Sequence, residues 1–134
     1  MKFRASKGGQ GAVALLTNLL GITITLGGAI IPLNKAALLG NIRYVSPGAV
    51  IIEEPGTYLV GTGIQLGAAV AGPIQLVVEG VNGLRIVTET PGIINVSFED
   101  DFKIELQRGD RVYLRATAAT TIVVAATLNV AKSG

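Results

Sequence analysis

Histidine and cysteine, which carry much of enzymatic and metal chemistry, do not occur among the 134 residues. Their absence removes nucleophile–imidazole pairs, thiolate catalysis, disulfides and the commonest metal ligands. Carboxylates, hydroxyls and glycines are left. The four serines, Ser6, Ser46, Ser97 and Ser133, lie outside any G-x-S-x-G elbow. Glu53 and Glu54 could form an acid–base pair only on one surface, and neighbours on a strand point to opposite faces. They read as strand-end charges before a turn. Gly61-Thr62-Gly63 starts like a phosphate loop, but no Gly-Lys-Thr follows and no helix is due there. Glycines inside a strand pattern mark a bulge or a close approach of backbones. Glu99-Asp100-Asp101 offers hard oxygen ligands suited to calcium, and an acidic loop between two strands is also simply solvated. Arg108-Gly109-Asp110 matches an integrin-binding tripeptide and equally a turn before a strand. Asn95-Val96-Ser97 fits a glycosylation acceptor, yet falls in an expected strand. The expectation is a protein that is not an enzyme and holds no cofactor and no resident metal.

The elements that position these residues are strands. Ile22–Leu26, Ala29–Leu33, Ile42–Val45, Ala49–Glu53, Thr57–Leu66, Ile74–Glu79, Leu84–Thr88, Ile93–Phe98, Phe102–Leu106, Arg111–Ala116 and Ile122–Val130 are short β-branched runs. Turn residues separate them: Ser46-Pro47-Gly48, Glu54-Pro55-Gly56, Pro91-Gly92 and Arg108-Gly109-Asp110. Gly80-Val81-Asn82-Gly83 predicts a hairpin connection. Pro32 cannot donate to a ladder and belongs at an edge or a bend. Ala12–Leu20 is apolar and reads either as a short helix or as an extended segment. No amphipathic helix follows residue 40, and one sandwich or barrel is expected. Residues 1–21 read as a basic arm plus an apolar segment, and 22–134 as the domain.

Hydrophobic residues make up 49% of the chain and charged residues only 15%, with no Trp and aromatics at 4%. So apolar a surface either crosses a membrane or is hidden against other copies, since obligate interfaces resemble a core cut in half. The N-terminal run looks superficially like a signal or a span: three positive charges precede a charge-free stretch from Gly8 to Asn34. Gly21, Gly27 and Gly28 interrupt it, Ile22–Leu26 alternates as a strand does, and Met1 is retained. Burial between copies is therefore expected, with no membrane partner.

Charge is unevenly placed. Residues 1–52 hold Lys2, Arg4, Lys7, Lys35 and Arg43 with no acid, which gives +5. Residues 53–134 hold six basic and nine acidic groups, giving −3 and a total of +2. A basic N-terminal part suits an acidic protein surface or a solvated tail. Five charges without interleaved aromatics do not suit nucleic acid, and no nucleic-acid partner is expected.

From Ser46 onward the motif order resembles the C1q and tumour-necrosis-factor jelly-roll superfamily. Pro55-Gly56-Thr57-Tyr58-Leu59-Val60 is similar to its P-G-x-Y strand, and Gly109-Asp110-Arg111-Val112-Tyr113-Leu114 to its G-D-x-V-x-L strand. Ile122–Val130 sits where that family's closing strand falls. In texture, Ile74–Gly83 resembles the C-terminal domains of bacterial collagen-like spore-surface glycoproteins. The likeness spans about residues 22–131. It lacks a preceding Gly-X-Y run and the aromatic pairs common at the family's trimer axis.

The resemblance implies an all-β, single jelly-roll domain that forms a homotrimer, with apolar strands along the threefold axis. A compact trimer with a short basic arm is similar to bacteriophage capsid decoration proteins, a likeness at the level of fold. The leading expectation is a structural protein at a virion surface. Its Met1–Gln10 arm would dock on the underlying shell, with Lys2, Arg4 and Lys7 meeting acidic groups there. The alternatives are a spore- or cell-surface protein and a receptor- or glycan-binding tip using loops near Gly67–Gly72 and Glu99–Asp101. Scarce aromatics disfavour glycan, because sugar sites stack on Trp or Tyr.

Overall fold

In the computed structural model, residues 12–25, 27–67, 72–90, 97–118 and 121–133 are described, and for 90, 97–100, 121 and 122 only the backbone. The arm residues Lys2, Arg4 and Lys7 lie outside them, as does most of the Gly67–Gly72 loop. Eleven strands run in chain order: β1 (Val13–Asn18), β2 (Ile22–Ile24), β3 (Lys35–Leu39), β4 (Ile42–Val45), β5 (Ala49–Ile52) and β6 (Gly56–Leu66). They continue as β7 (Ile74–Gly80), β8 (Gly83–Thr90), β9 (Ser97–Leu106), β10 (Arg111–Ala116) and β11 (Thr121–Lys132). Two antiparallel sheets form. The first has the order β3-β1-β11-β6-β9, with β2 also on β11, and the second β4-β5-β10-β7-β8. Strand count and turn signals left a sandwich or a barrel open; the sheets form a sandwich, in keeping with the jelly roll that the resemblance implies.

The core follows from period-2 alternation. Along β6, Tyr58, Val60, Thr62, Ile64 and Leu66 are buried, while the residues between them are half-buried or exposed. Leu16, Leu106, Leu128 and Val130 join them from the first sheet. Val50, Ile52, Leu76, Val112 and Leu114 come from the second. Tyr58 reaches across the core's end, where its hydroxyl donates to the Glu54 carbonyl at 2.7 Å.

Four features differ from the sequence expectation. Of the two readings of Ala12–Leu20 the extended one holds, as strand β1, but β1 lies between β3 and β11, so the first sheet includes residues on the N-terminal side of Ile22. β1 and β2 continue one another along β11, and Leu19 and Leu20 are pushed out where β11 shifts register between Val123 and Ala125. Ala29–Leu33 makes only one bridge, Ile30 to Arg115. Pro32 removes a donor there, and the segment is tied to β10 by bonds such as Ile31 N to Leu114 O at 2.9 Å. Lys35–Leu39 is a strand although its residues do not alternate, because β1 supplies the ladder.

The fourth is the acidic trio. Glu99, Asp100 and Asp101 do not form a loop; they are ladder positions in β9, opposite Gly63, Thr62 and Gly61 of β6. A calcium loop wraps its oxygens around the ion, whereas these three positions are held extended in a ladder.

Candidate assembly face

Most of the candidate chemistry is absorbed by the fold. Glu53 pairs with Arg43 at 2.9 Å, whereas Glu54 accepts from Asn41 Nδ2 at 3.0 Å. The adjacent acids thus serve different partners. Arg108-Gly109-Asp110 is a turn with Gly109 at φ 90°. The Asp110 carboxylate is buried and accepts from the Gln107 backbone N–H at 2.8 Å, so the acid of the tripeptide is directed inward. Ser97 opens β9, and the rest of the glycosylation pattern lies outside the described residues. Gly80–Gly83 is the expected hairpin turn, with Gly83 at φ 111°. Among the described residues no group of three or more Asp or Glu is placed to hold a metal ion.

An organised surface that this chemistry leaves open is the outer face of the first sheet. Strand registers set its outward side chains in rows. One row runs Leu39, Val13, Ala131, Leu59, Lys103. The next runs Ala37, Leu15, Asn129, Gly61, Asp101, and a third begins Lys35, Thr17, Thr127, Gly63. Across the three central strands β1, β11 and β6, none of these positions is charged. Among the residues whose side chains are described, charges occur only at the flanks, with Lys35 on β3 and Asp101, Lys103 and Glu105 on β9; Glu99 is the β9 ladder position that ends the third row. Leu15, Leu39 and Leu59 are 42%, 64% and 45% exposed. An apolar centre with a charged rim is the anatomy of a protein interface.

Relief on this face comes from small residues. Gly61 and Gly63 leave a furrow of about 490 Å3 lined by Leu15, Asp101, Thr127 and Asn129. Gly63 is held to that size from within, because a Cβ there would come 2.6 Å from Thr127 Oγ1. On the other side of Leu15 a second hollow, about 290 Å3, is lined by Thr17, Lys35, Ala36 and Ala37. Leu15 is thus a ridge between an acidic furrow and a basic hollow. The sequence does not show this face, because its rows depend on registers between distant strands and its flank β3 has no strand-like alternation. The signal available was the pair of glycines inside the longest strand.

The second sheet's outer face is better covered. Ala49, Val77 and Tyr113 form a small buried cluster under Ile30 and Val45. Gln75 links Arg115, which donates to its Oε1 at 2.6 and 2.8 Å, to Glu89, whose Oε2 accepts from Gln75 Nε2 at 2.5 Å. Tyr113 donates to Glu79 at 3.1 Å. Burial raises the Tyr113 pKa, and the bond to Glu79 raises it further.

No protein-family model and no curated sequence matches the chain. Solved structures do. The Eiger TNF from S. frugiperda is similar with a TM-score of 0.71 at 16% identity, covering 92% of each chain. The globular domain of the zebrafish complement 1qA protein is similar at 0.62 and 12%, covering 88% of this chain and 94% of that one. The PRD1 vertex protein P5 is similar at 0.62 and 12%, over 95% of this chain and 100% of that one. The fold is the C1q/TNF-like jelly roll that the two strand motifs suggest.

Proposed function

We propose that this C1q/TNF-like jelly roll is a non-enzymatic structural protein that forms a homotrimer on the surface of a virion, as a capsid decoration or accessory protein. The observation that carries the proposal is the uncharged centre of the first sheet's outer face, with Leu15, Leu39 and Leu59 exposed on it. Each exposed apolar Å2 removed from water contributes about 25 cal/mol, and three copies closing these faces would bury the surface that makes the chain so apolar. A cyclic arrangement satisfies every copy equally. The fold likeness to the PRD1 vertex protein P5, over that chain's whole length, supports a place at a capsid surface.

Docking is assigned to the arm. Lys2, Arg4 and Lys7 precede the sandwich with no acid among residues 1–52, and their charge suits an acidic shell. The Ala12 carbonyl accepts from the Lys132 N–H at 2.9 Å, which holds Ala12 beside the end of β11.

Light scattering on the purified chain without detergent tests the assembly. A trimer gives about 41 kDa, three times 13.8 kDa; a monomer of 13.8 kDa overturns the reading. Deleting residues 1–10 is expected to leave the trimer intact and abolish co-sedimentation with purified capsid shells. Full binding by the truncated chain removes the arm from the mechanism.

A further inference from the structure

We infer that Lys35 of one copy pairs with Asp101 of the next, and that this ion pair sets the register in which the assembly faces meet. The inference rests on the trimer proposed above and names the polar contact that orients it.

Charge placement carries it. An uncharged apolar centre supplies attraction without direction, since burial energy is indifferent to a sliding of the two surfaces. Direction comes from the rim, where opposite charges steer and like charges repel. Lys35 lies on β3 at one flank and Asp101 on β9 at the other, in neighbouring rows of the same face. Both are exposed. Neither side chain has a hydrogen bond or ion pair within its own chain among the described residues.

The other described rim charges do not substitute for them. Glu105 accepts from Thr57 Oγ1. Lys103 stands on the same strand as Asp101 and has the sign of Lys35, so it cannot be that lysine's partner.

Relief agrees with charge. Asp101 lines the furrow on one side of the Leu15 ridge, and Lys35 lines the hollow on the other. In a cyclic assembly each copy offers one patch and receives a different one. A neighbour whose β3 flank is turned toward the β9 flank of the first copy brings the basic hollow to the acidic furrow. The reverse stacking, β3 on β3, sets two lysines against each other. The occupant of this face is therefore a second copy in a head-to-tail ring.

Charge reversal in the full chain tests the pair. Light scattering over a dilution series is applied to the wild type, Lys35→Glu, Asp101→Lys and the double variant. Each single reversal is expected to raise the protein concentration at which the trimer dissociates by at least about tenfold, and the double reversal to restore it. Because both residues are exposed, circular dichroism of all four proteins should retain the strand signal. Lys35→Ala and Asp101→Ala provide a second cycle, in which the double variant is expected to cost less than the sum of the singles. A wild-type monomer overturns the trimer itself. A wild-type trimer whose single reversals are silent, or whose double reversal is not restored, leaves the trimer standing and overturns the Lys35–Asp101 pair.

Discussion

The carboxylate of Asp110 rests against Gly80, so close that a Cβ at residue 80 would fall well inside van der Waals contact of Asp110 Oδ1. The same carboxylate accepts from the Gln107 N–H, and the Asp110 carbonyl accepts from Ile52 N–H at 2.9 Å. One residue thus ties the β9–β10 turn to β5 and to the β7–β8 hairpin. Gly80→Ala is expected to displace the carboxylate and to lower unfolding free energy by about 1–3 kcal/mol. Urea denaturation measures it, and an unchanged midpoint would show that Asp110 is free to swing aside.

The same geometry bears on the Arg-Gly-Asp tripeptide. A receptor that coordinates the acid needs it exposed, and Asp110 is only 8% exposed. Cells bearing integrins should adhere to the immobilised protein to the same extent before and after Asp110→Ala, while that variant loses about 1–3 kcal/mol of stability. Adhesion that depends on Asp110 would mean that the turn opens.

Tyr58 links core packing to alkaline stability. It is fully buried, and burial, helped by the charge of Glu54, raises its pKa above the ordinary 10.0. Below pH 10 the folded and unfolded chains both keep the proton, and the stabilisation is fully present. As pH climbs past 10 the unfolded chain loses its proton first, so stability falls until the folded tyrosine ionises as well. Tyr113, also raised, acts in the same sense. Tyr58→Phe should cost about 0.5–2 kcal/mol at neutral pH through the lost bond to the Glu54 carbonyl. It should also flatten the decline in Tm above pH 10, and an equally steep decline would assign the alkaline loss elsewhere.

Much of this fold is legible in the sequence wherever side chains alternate and a turn residue ends the run. Arg111–Ala116 and Ile74–Glu79 appear nearly as expected, with Val112, Leu114, Ile74 and Leu76 buried and with Gln75, Val77 and Tyr113 buried on the other face as well. Where tertiary pairing outweighs local pattern, the sequence is silent. Lys35–Leu39 becomes a strand through β1. Glu99–Asp101 stay within β9 because β6 supplies the ladder there. The assembly face was legible only as an excess of apolar residues, since which of them share a face depends on registers between strands far apart in the chain.

Adjacent leucines separate folding from assembly. Leu16 points into the core and is fully buried, whereas Leu15 faces outward as the ridge of the first sheet and is 42% exposed. Leu16→Ala opens a cavity beside Leu128, its partner across the ladder, and should cost about 2–5 kcal/mol. That loss belongs to each copy alone, so Tm should drop by a similar amount at every protein concentration. Leu15→Ala leaves the core intact, and its cost is the contact with a neighbouring copy. Since association stabilises only the folded state, the loss depends on mass action. Its Tm should fall more steeply on dilution than that of the wild type, with a light-scattering mass that drops over the same range. If Leu15→Ala instead lowers Tm equally at all concentrations and the mass does not change, the first sheet's outer face is not where the copies meet.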